Sequence, residues 1–233
     1  MRAEDSPNFD PVARAYRPLE FLTFGPYLER CRFHFLSKLG HSRRALILGD
    51  GDGRFTARLL ASNAKVEVDA IDSSSIMLEL LAARAARLGP SAEERLRPLQ
   101  ADARKLDFEG TGYDLVVANF FLDCFNVDEI AGLVAKIVPR LAPEAIWLVS
   151  EFALPAEGLM KWPSRLIVAS LYRAFGLLTG LKVRTLPNYA ALLDQAGLSR
   201  IAGKRYLKGL LVSELWKLDA QKATTSSPDY SHQ

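Results

Sequence analysis

A short apolar run followed by a turn rich in glycine and aspartate occupies residues 45–53, which read ALILGDGDG. A continuous apolar run of this length is typical of a strand buried on both faces of a parallel sheet, and here it stops at Gly49. Apolar residues with helical spacing resume after the turn, at Phe55, Leu59 and Leu60. This order of strand, tight turn and helix predicts the first unit of a doubly wound α/β sheet.

Further apolar runs follow at intervals that leave room for helices between them. We predict strands at residues 66–71, 96–100, 113–118 and 145–149, and a closing hairpin of strands 199–206 and 211–218 across Lys208-Gly209. We predict helices from a capping serine among Ser73–Ser75 to Gly89-Pro90, with Leu88 on the apolar face, over 130–141 before Pro143, and over 189–197. The predicted fold is α/β, a doubly wound, seven-stranded and mostly parallel sheet with a C-terminal antiparallel hairpin.

Length and composition support one sizeable domain with its own core. The 233 residues are 49% hydrophobic and carry a formal charge of +3, which excludes a mainly disordered chain. We predict an N-terminal helical cover over 1–40, a main domain over 41–218 with a helical insertion at about 155–184, and a flexible tail over 219–233.

Cysteine and histidine usage points away from disulfide and metal frameworks. Only two cysteines occur, Cys31 and Cys124, and the three histidines have no metal-ligand spacing. The sequence also lacks an apolar run near the roughly 20 residues that span a bilayer, and its first residues do not resemble a secretory signal. We therefore expect a cytoplasmic protein without a metal site.

Acidic residues end two further predicted strands, and in a doubly wound sheet ligands bind at these carboxyl ends. Asp72 ends the second strand and is placed to accept the two hydroxyls of a ribose, and Asp102 follows the third and is placed to accept from an adenine amino group. Taken alone, each acid also fits a helix cap or a solvated turn. Their joint order after the glycine turn favours a nucleoside-binding site.

The glycine turn fits three better-known loops poorly. A dinucleotide fingerprint needs a third glycine where Arg54 stands. A calcium loop that began at Asp50 needs a bidentate glutamate where Ala61 stands. The GK[ST] sequence of a P-loop does not occur.

The chain resembles the class I S-adenosylmethionine-dependent methyltransferases, over roughly residues 40–155 with an extension to 218. The matching motifs are ALILGDGDG (45–53), VDAIDSSSIML (68–78), LQADARKL (99–106), YDLVVANFFLDCF (113–125) and LAPEAIWLVSEF (141–152). The segment FDPVARAY (9–16) is similar to segments that cover the cofactor in several members. The resemblance implies a Rossmann-like fold and S-adenosyl-L-methionine as the cofactor.

The resemblance also implies a role for individual residues. The implied cofactor-binding residues are Tyr16 in the cover, Gly49, Asp50, Gly51 and Gly53 beside the methionine part, Asp72 on the ribose, Ser73 and Met77 against the adenine, Asp102 and the Ala103 amide at the adenine edge, and Asn119 and Phe120 beneath the sulfonium. For Met77, ordinary helix packing is the alternative.

The match departs from the family pattern at two positions. Ile47 stands where members usually carry an acid two residues before the first motif glycine, so Asp50 or Asp52 becomes the candidate for the contact with the cofactor's amino group. The fourth motif begins Asn119-Phe120-Phe121 and lacks the Asn-Pro-Pro-aromatic form, which argues against a methylase of exocyclic base amines.

Asp123, just beyond the fourth strand, is the candidate to orient or deprotonate the acceptor. The alternative is a cap for the helix that follows. His34 and His41 are candidates only if the N-terminal helices fold over the site.

One segment holds the excess positive charge of the chain. Residues 159–184 contain five basic residues and no acid, so the remaining chain has 25 Lys+Arg against 27 Asp+Glu. An apolar lid over the acceptor, a core or homodimer helix, a peripheral membrane contact and an RNA contact all fit this segment. Since the basicity is local, composition favours a small molecule over nucleic acid.

These patterns together predict a cytoplasmic enzyme that transfers a methyl group from S-adenosylmethionine to a small apolar or aromatic acceptor. A nucleoside-binding regulatory protein without catalysis and an NAD-dependent oxidoreductase are the alternatives.

Overall fold

The computed structural model describes residues 24–108, 110–154 and 186–219. Within these ranges, seven strands form one sheet: β1 Arg44–Leu48, β2 Glu67–Asp72, β3 Leu96–Gln100, β4 Tyr113–Asn119, β5 Leu141–Phe152, β6 Leu198–Tyr206 and β7 Leu211–Leu218. The α-helices of the same ranges are α1 Tyr27–Arg32, α2 Arg54–Ser62, α3 Ser75–Ala86, α4 Pro90–Glu94, α5 Val127–Ile137 and α6 Tyr189–Gln195. Tyr16, the whole predicted insertion at 155–184 and all of the predicted tail except Asp219 lie outside the described residues.

The sheet has the strand order β3-β2-β1-β4-β5-β7-β6. Strands β1 to β5 pair in parallel, whereas β7 runs antiparallel to both β5 and β6. The predicted seven-stranded sheet with a closing hairpin is therefore confirmed. Because β1 lies between β2 and β4, the chain order reverses there, and this is the point where doubly wound sheets bind ligands.

Apolar side chains cover both faces of the sheet. One cluster joins β4 and β5 to α5 and α6 and includes Val116, Trp147, Ile130 and Leu193. The cluster on the opposite face includes Ile47, Val117, Phe55 and Leu81. A strand buried on both faces needs an apolar residue at every position, which explains the uninterrupted runs in β1 and β4.

The N-terminal helix α1 packs on the C-terminal hairpin. The Cys31 thiol donates a hydrogen bond to the Val212 carbonyl at 3.2 Å, across 181 residues of sequence. Phe24, Leu28, Leu210 and Leu211 form an apolar cluster around this contact.

The structure corrects two details around the helices. Helix α3 ends at Ala86, so Leu88 is 45% exposed instead of buried, and Gly89 precedes a short helix that begins at Pro90. Pro at the first position of a helix is favourable because its missing N–H has no partner there in any case.

Strand β5 begins at Leu141, so Pro143 lies inside a strand and does not mark the gap before one. The pairing of β4 with β5 shifts register between Tyr113 and Leu115, opposite this part of β5. Irregular pairing of this kind accommodates a proline, which cannot donate to the ladder.

Helix α5 begins with a capping box. Asn126 Oδ1 accepts from the Glu129 amide at 2.9 Å, and Glu129 Oε2 accepts from the Asn126 amide at 2.9 Å. The cap of this helix is therefore Asn126, and the capping role considered for Asp123 is wrong.

Replacing this cap tests its contribution. We expect Asn126→Ala to lower the free energy of unfolding by about 1 kcal/mol, because one amide at the helix N-terminus loses its acceptor. Urea denaturation measures this change, with Val127→Ala as a control at an exposed neighbouring position. An unchanged midpoint for Asn126→Ala would contradict the assigned cap.

Candidate functional site

The loop between β1 and α2 needs three glycines for its backbone shape. Gly49, Gly51 and Gly53 have φ values of 60°, 59° and 76°, in the left-handed region that favours glycine. The Gly49 amide donates to the Ile71 carbonyl at 2.8 Å, which fixes the start of the loop against β2.

Each glycine also permits a close approach. A Cβ on Gly49 would lie 2.3 Å from the Phe121 ring, and one on Gly53 would lie 2.7 Å from the Leu81 Cα. At Gly51 it would lie 3.7 Å from the Met77 sulfur, at ordinary contact distance. The loop is therefore packed tightly at both ends and loosely at Gly51, beside Met77.

Asp50 holds the first turn of α2 in place. Its carboxylate accepts from the Phe55 amide at 3.3 Å and from the Thr56 amide at 2.8 Å. Burial raises the pKa of Asp50, and the hydrogen bond from Thr56 opposes that increase.

Asp52 links the glycine loop to two arginines by ion pairs. Its carboxylate pairs with Arg54 at 2.9 Å and with Arg84 of α3 at 2.7 Å. Arg84 Nε also donates to the Asp52 carbonyl at 2.9 Å. These contacts to two helices fix the glycine loop between α2 and α3.

Asp72 lies at the carboxyl end of β2, beside the glycine loop. Its carboxylate accepts from the Ser74 amide at 2.9 Å, and the Gly51 and Ser73 amides also act on it. Burial raises the pKa of Asp72 to about 6, against the lowering effect of these amides. A carboxylate of this kind is suited to accept hydroxyl hydrogen bonds once it is ionised.

Asp102 lies after β3 and forms a two-pronged ion pair with Arg104. Arg104 Nε donates to Oδ1 at 2.9 Å and Nη2 donates to Oδ2 at 2.7 Å. Arg104 Nη1 continues to Glu129 on α5 at 3.0 Å. The carboxylate keeps further lone pairs, so its predicted role at the adenine edge stays a prediction. Ala103 beside it is buried in the core.

Asn119 and Phe120 end β4 at the switch point. Asn119 is 4% exposed, and both polar atoms of its side chain lack a hydrogen-bond partner among the described residues. An orphaned buried amide is costly unless a bound group satisfies it. Phe120 has a φ of 54°, a strained value for a bulky residue, and its amide donates to the Ser150 carbonyl at 2.7 Å.

Asp123 lies in the turn after β4, where its side chain is only partly exposed. The Cys124 thiol donates to Asp123 Oδ1 at 3.6 Å. Burial raises the pKa of Asp123 to about 6, close to the range in which a general base works.

Glu151 is a site residue that the sequence analysis missed. It lies near the end of β5, is 1% exposed, and accepts from the Phe121 amide at 2.9 Å and the Leu122 amide at 2.7 Å. The available signal was the one used for Asp72, an acid that ends an apolar strand.

The structure brings the glycine loop, Asp72, Ser73 and Met77 together at the carboxyl ends of β1 and β2, beside the end of β4. It does not bring His34 there, since His34 Nδ1 lies 2.9 Å from the Tyr206 hydroxyl at the end of the hairpin. His41 is exposed just before β1, near its amino end. Among the described residues, no group of three or more His, Cys, Asp and Glu side chains forms a metal site. In the same residues, no helix is both long and apolar enough to cross a bilayer.

Comparisons with known proteins agree with this geometry. The family model described as a methyltransferase domain matches residues 46–147, which run from β1 into β5. No curated protein matches the sequence significantly.

Solved structures with similar folds include three methyltransferases. Mitomycin 7-O-methyltransferase is 14% identical, with a TM-score of 0.66 over 93% of this chain and 62% of its own. An O-methyltransferase family 2 protein from Planctomyces limnophilus, solved with apigenin, is 19% identical, with a TM-score of 0.66 over 89% of this chain and 62% of its own. The N-methyltransferase NodS from Bradyrhizobium japonicum, solved with S-adenosylhomocysteine, is 14% identical, with a TM-score of 0.57 over 90% of this chain and 89% of its own. This chain spans 57–62% of the length of the first three solved relatives.

Proposed function

We propose that this chain is a class I S-adenosylmethionine-dependent methyltransferase that transfers a methyl group from this cofactor to a small apolar or aromatic acceptor, as the match of residues 46–147 to a methyltransferase domain supports. The observation that carries the proposal is the meeting of the glycine loop, Asp72 and the orphaned Asn119 at the switch point.

The described residues fit the cofactor in three respects. Gly51 leaves room beside Met77, Asp72 presents a carboxylate for ribose hydroxyls, and the buried amide of Asn119 needs partners that a bound group would supply. Gly49, Gly53 and Asp50 shape the loop, while Ser73, Asp102, Ala103 and Phe120 complete the proposed binding set, with Tyr16 proposed from the sequence alone.

S-adenosylmethionine, when bound, supplies a methyl group already activated by its sulfonium. The protein then has to hold the acceptor in line and exclude water. We assign Asp123 to orient the acceptor or remove its proton, because its partly buried carboxylate lies just after β4 and has a pKa of about 6.

An aromatic acceptor is supported by two pairs of aromatic side chains at the ends of β4 and β5. The Phe121 and Phe125 rings lie 4.7 Å apart, and the Phe120 and Phe152 rings lie 5.3 Å apart. The apigenin bound to the Planctomyces limnophilus protein is an acceptor-sized aromatic molecule, and it supports the same class here.

Binding calorimetry tests the proposed cofactor. We expect S-adenosylmethionine and S-adenosylhomocysteine to bind with similar micromolar affinity and NAD to show no heat of binding, because Arg54 replaces the third glycine of a dinucleotide fingerprint. Absence of binding by both sulfur nucleosides would refute the proposal, and binding of NAD alone would favour an oxidoreductase.

A nucleoside-binding regulatory protein remains the second candidate, and a methyl-transfer screen with labelled cofactor separates it from an enzyme. We further propose a cytoplasmic location, supported by the free thiols of Cys31 and Cys124. A homodimer through residues 159–184 stays a prediction from the sequence, and a membrane or RNA contact of this segment is only an alternative to it.

A further inference from the structure

Glu151 is a buried acid with one oxygen in use and one oxygen without a partner. Its Oε1 accepts from two consecutive amides of the turn after β4, those of Phe121 and Leu122. Its Oε2 is buried and has no hydrogen-bond partner among the described residues. Such an orphaned atom costs free energy unless a ligand satisfies it.

The neighbouring acid Glu214 on β7 has the same burial and a different set of partners. Glu214 accepts from Arg200 at 2.7 Å, from the Tyr189 hydroxyl at 3.1 Å and from the Trp216 indole at 3.2 Å. Both of its oxygens are used and a cation neutralises its charge, so Glu214 is a structural residue. In the described part of the chain, neither the hydrogen bonds nor the ion pairs of Glu151 include a cation.

The titratable groups that act on Glu151 or respond to it are Asp123 and Cys124 after β4, Tyr189 on α6 and Cys31 on α1. The backbone amides of Phe121, Leu122 and Asp123 favour the ionised form of Glu151, with smaller effects than burial and the charge of Asp123. Burial, followed by the charge of Asp123, raises the pKa of Glu151 well above its usual range. A neutral carboxyl group keeps a carbonyl oxygen for the two amides and gains an O–H donor on the other oxygen.

We propose that Glu151 is an acceptor-site residue that, in its protonated form, donates a hydrogen bond from Oε2 to an oxygen atom of an aromatic acceptor. The carboxylate of Asp123, in the turn after β4, accepts a proton from the same acceptor molecule. The two acids thus select an aromatic acceptor that bears oxygen. One group of this molecule accepts the hydrogen bond from Glu151, and another donates a proton to Asp123. This inference rests on the proposed function and names the acceptor class of the same site.

The test uses the protein loaded with S-adenosylhomocysteine, and flavone as the probe. Flavone is an aromatic ketone without a titratable group, so any pH dependence of its binding belongs to the protein. We expect calorimetry to give a constant flavone affinity above the pKa of Asp123, about 6, as long as Glu151 is protonated, and a loss of at least tenfold as the pH rises through the pKa of Glu151.

Glu151→Gln is the diagnostic variant, since glutamine keeps an oxygen for the two amides and a donor that cannot ionise. We expect this variant to bind flavone within about threefold of the wild-type affinity at a pH where wild-type Glu151 is protonated, and to show no loss over the pH range in which the wild type loses affinity. Glu214→Gln, at the neighbouring buried acid, should keep that loss. Infrared spectra provide a readout independent of flavone, since the protonated-carboxyl band seen below the pKa of Glu151 should disappear in Glu151→Gln and persist in Glu214→Gln.

The outcomes separate this inference from the proposed function. If S-adenosylhomocysteine fails to bind the wild-type protein, the proposed function itself is wrong. If it binds, the inference alone is overturned by any of three results: no flavone binding, a loss at raised pH that persists in Glu151→Gln, or no protonated-carboxyl band that depends on Glu151.

Discussion

Gly53→Ala is expected to lower the free energy of unfolding by about 2–5 kcal/mol. A residue with a Cβ in the left-handed region costs about 1–2 kcal/mol, and Gly53 has a φ of 76°. The new Cβ would also lie 2.7 Å from the backbone Cα of Leu81, and overpacking of this kind adds about 1–3 kcal/mol. Urea denaturation followed by circular dichroism measures the loss.

Gly112→Ala is the matched control for this change. Gly112 has the same φ of 76°, yet a Cβ there would meet nothing within 4 Å. We expect a loss of about 1–2 kcal/mol for this variant, from the dihedral angle alone. Equal losses in the two variants would show that α3 yields to the added methyl group and that the close packing of the loop is not required.

Asp72→Ala is expected to weaken the binding of S-adenosylhomocysteine by about 1–3 kcal/mol, the cost of leaving polar groups unpaired. This corresponds to roughly 5- to 150-fold in affinity, measured by calorimetry. Asp69→Asn on the same strand is the control, because Asp69 pairs with Arg44 and Arg97 and not with the glycine loop. Unchanged affinity in Asp72→Ala would mean that the ribose contact is wrong.

The pKa of Asp72 adds a pH signature to the same experiment. The pKa of Asp72 in the folded protein is about 6, above the ordinary value of 3.8. Asp72 therefore becomes protonated in the empty site when the pH falls below about 6. The ionised form is the one that accepts two ribose hydroxyls. We therefore expect constant affinity above pH 7 and weaker binding below about pH 6 in the wild type, and no such dependence in Asp72→Ala.

Local sequence patterns predicted most of the fold, because the central strands β1 and β4 are buried on both faces and so form uninterrupted apolar runs. Strand β3, from Leu96 to Gln100, coincides with its prediction, and the closing hairpin agrees within one residue. Helix details depended on tertiary contacts. Leu88 matches the apolar period of α3, yet the helix ends two residues earlier and leaves it in solvent.

The candidate site could be predicted where one strand end carries its own signal, as at Gly49 and Asp72. The hydrogen-bond and ion-pair partners that come from distant parts of the sequence could not be predicted. Glu151 has the same local signal, an acid at the end of an apolar strand, but the two amides that bind it lie about thirty residues away in the sequence, so its partners could not be predicted. The ion pair of Arg104 with Glu129 on α5 is hidden for the same reason.

The docking of α1 on β7 has a consequence for the order in which the chain assembles. The helix leaves the ribosome about 180 residues before the strand that receives it, because synthesis runs from the N-terminus. Until then Phe24 and Leu28 lack the leucines that cover them. Contacts of such long separation form late and slow folding. The nascent protein therefore exposes the apolar side chains of Phe24 and Leu28 throughout most of its translation, and we expect a chaperone to bind this segment.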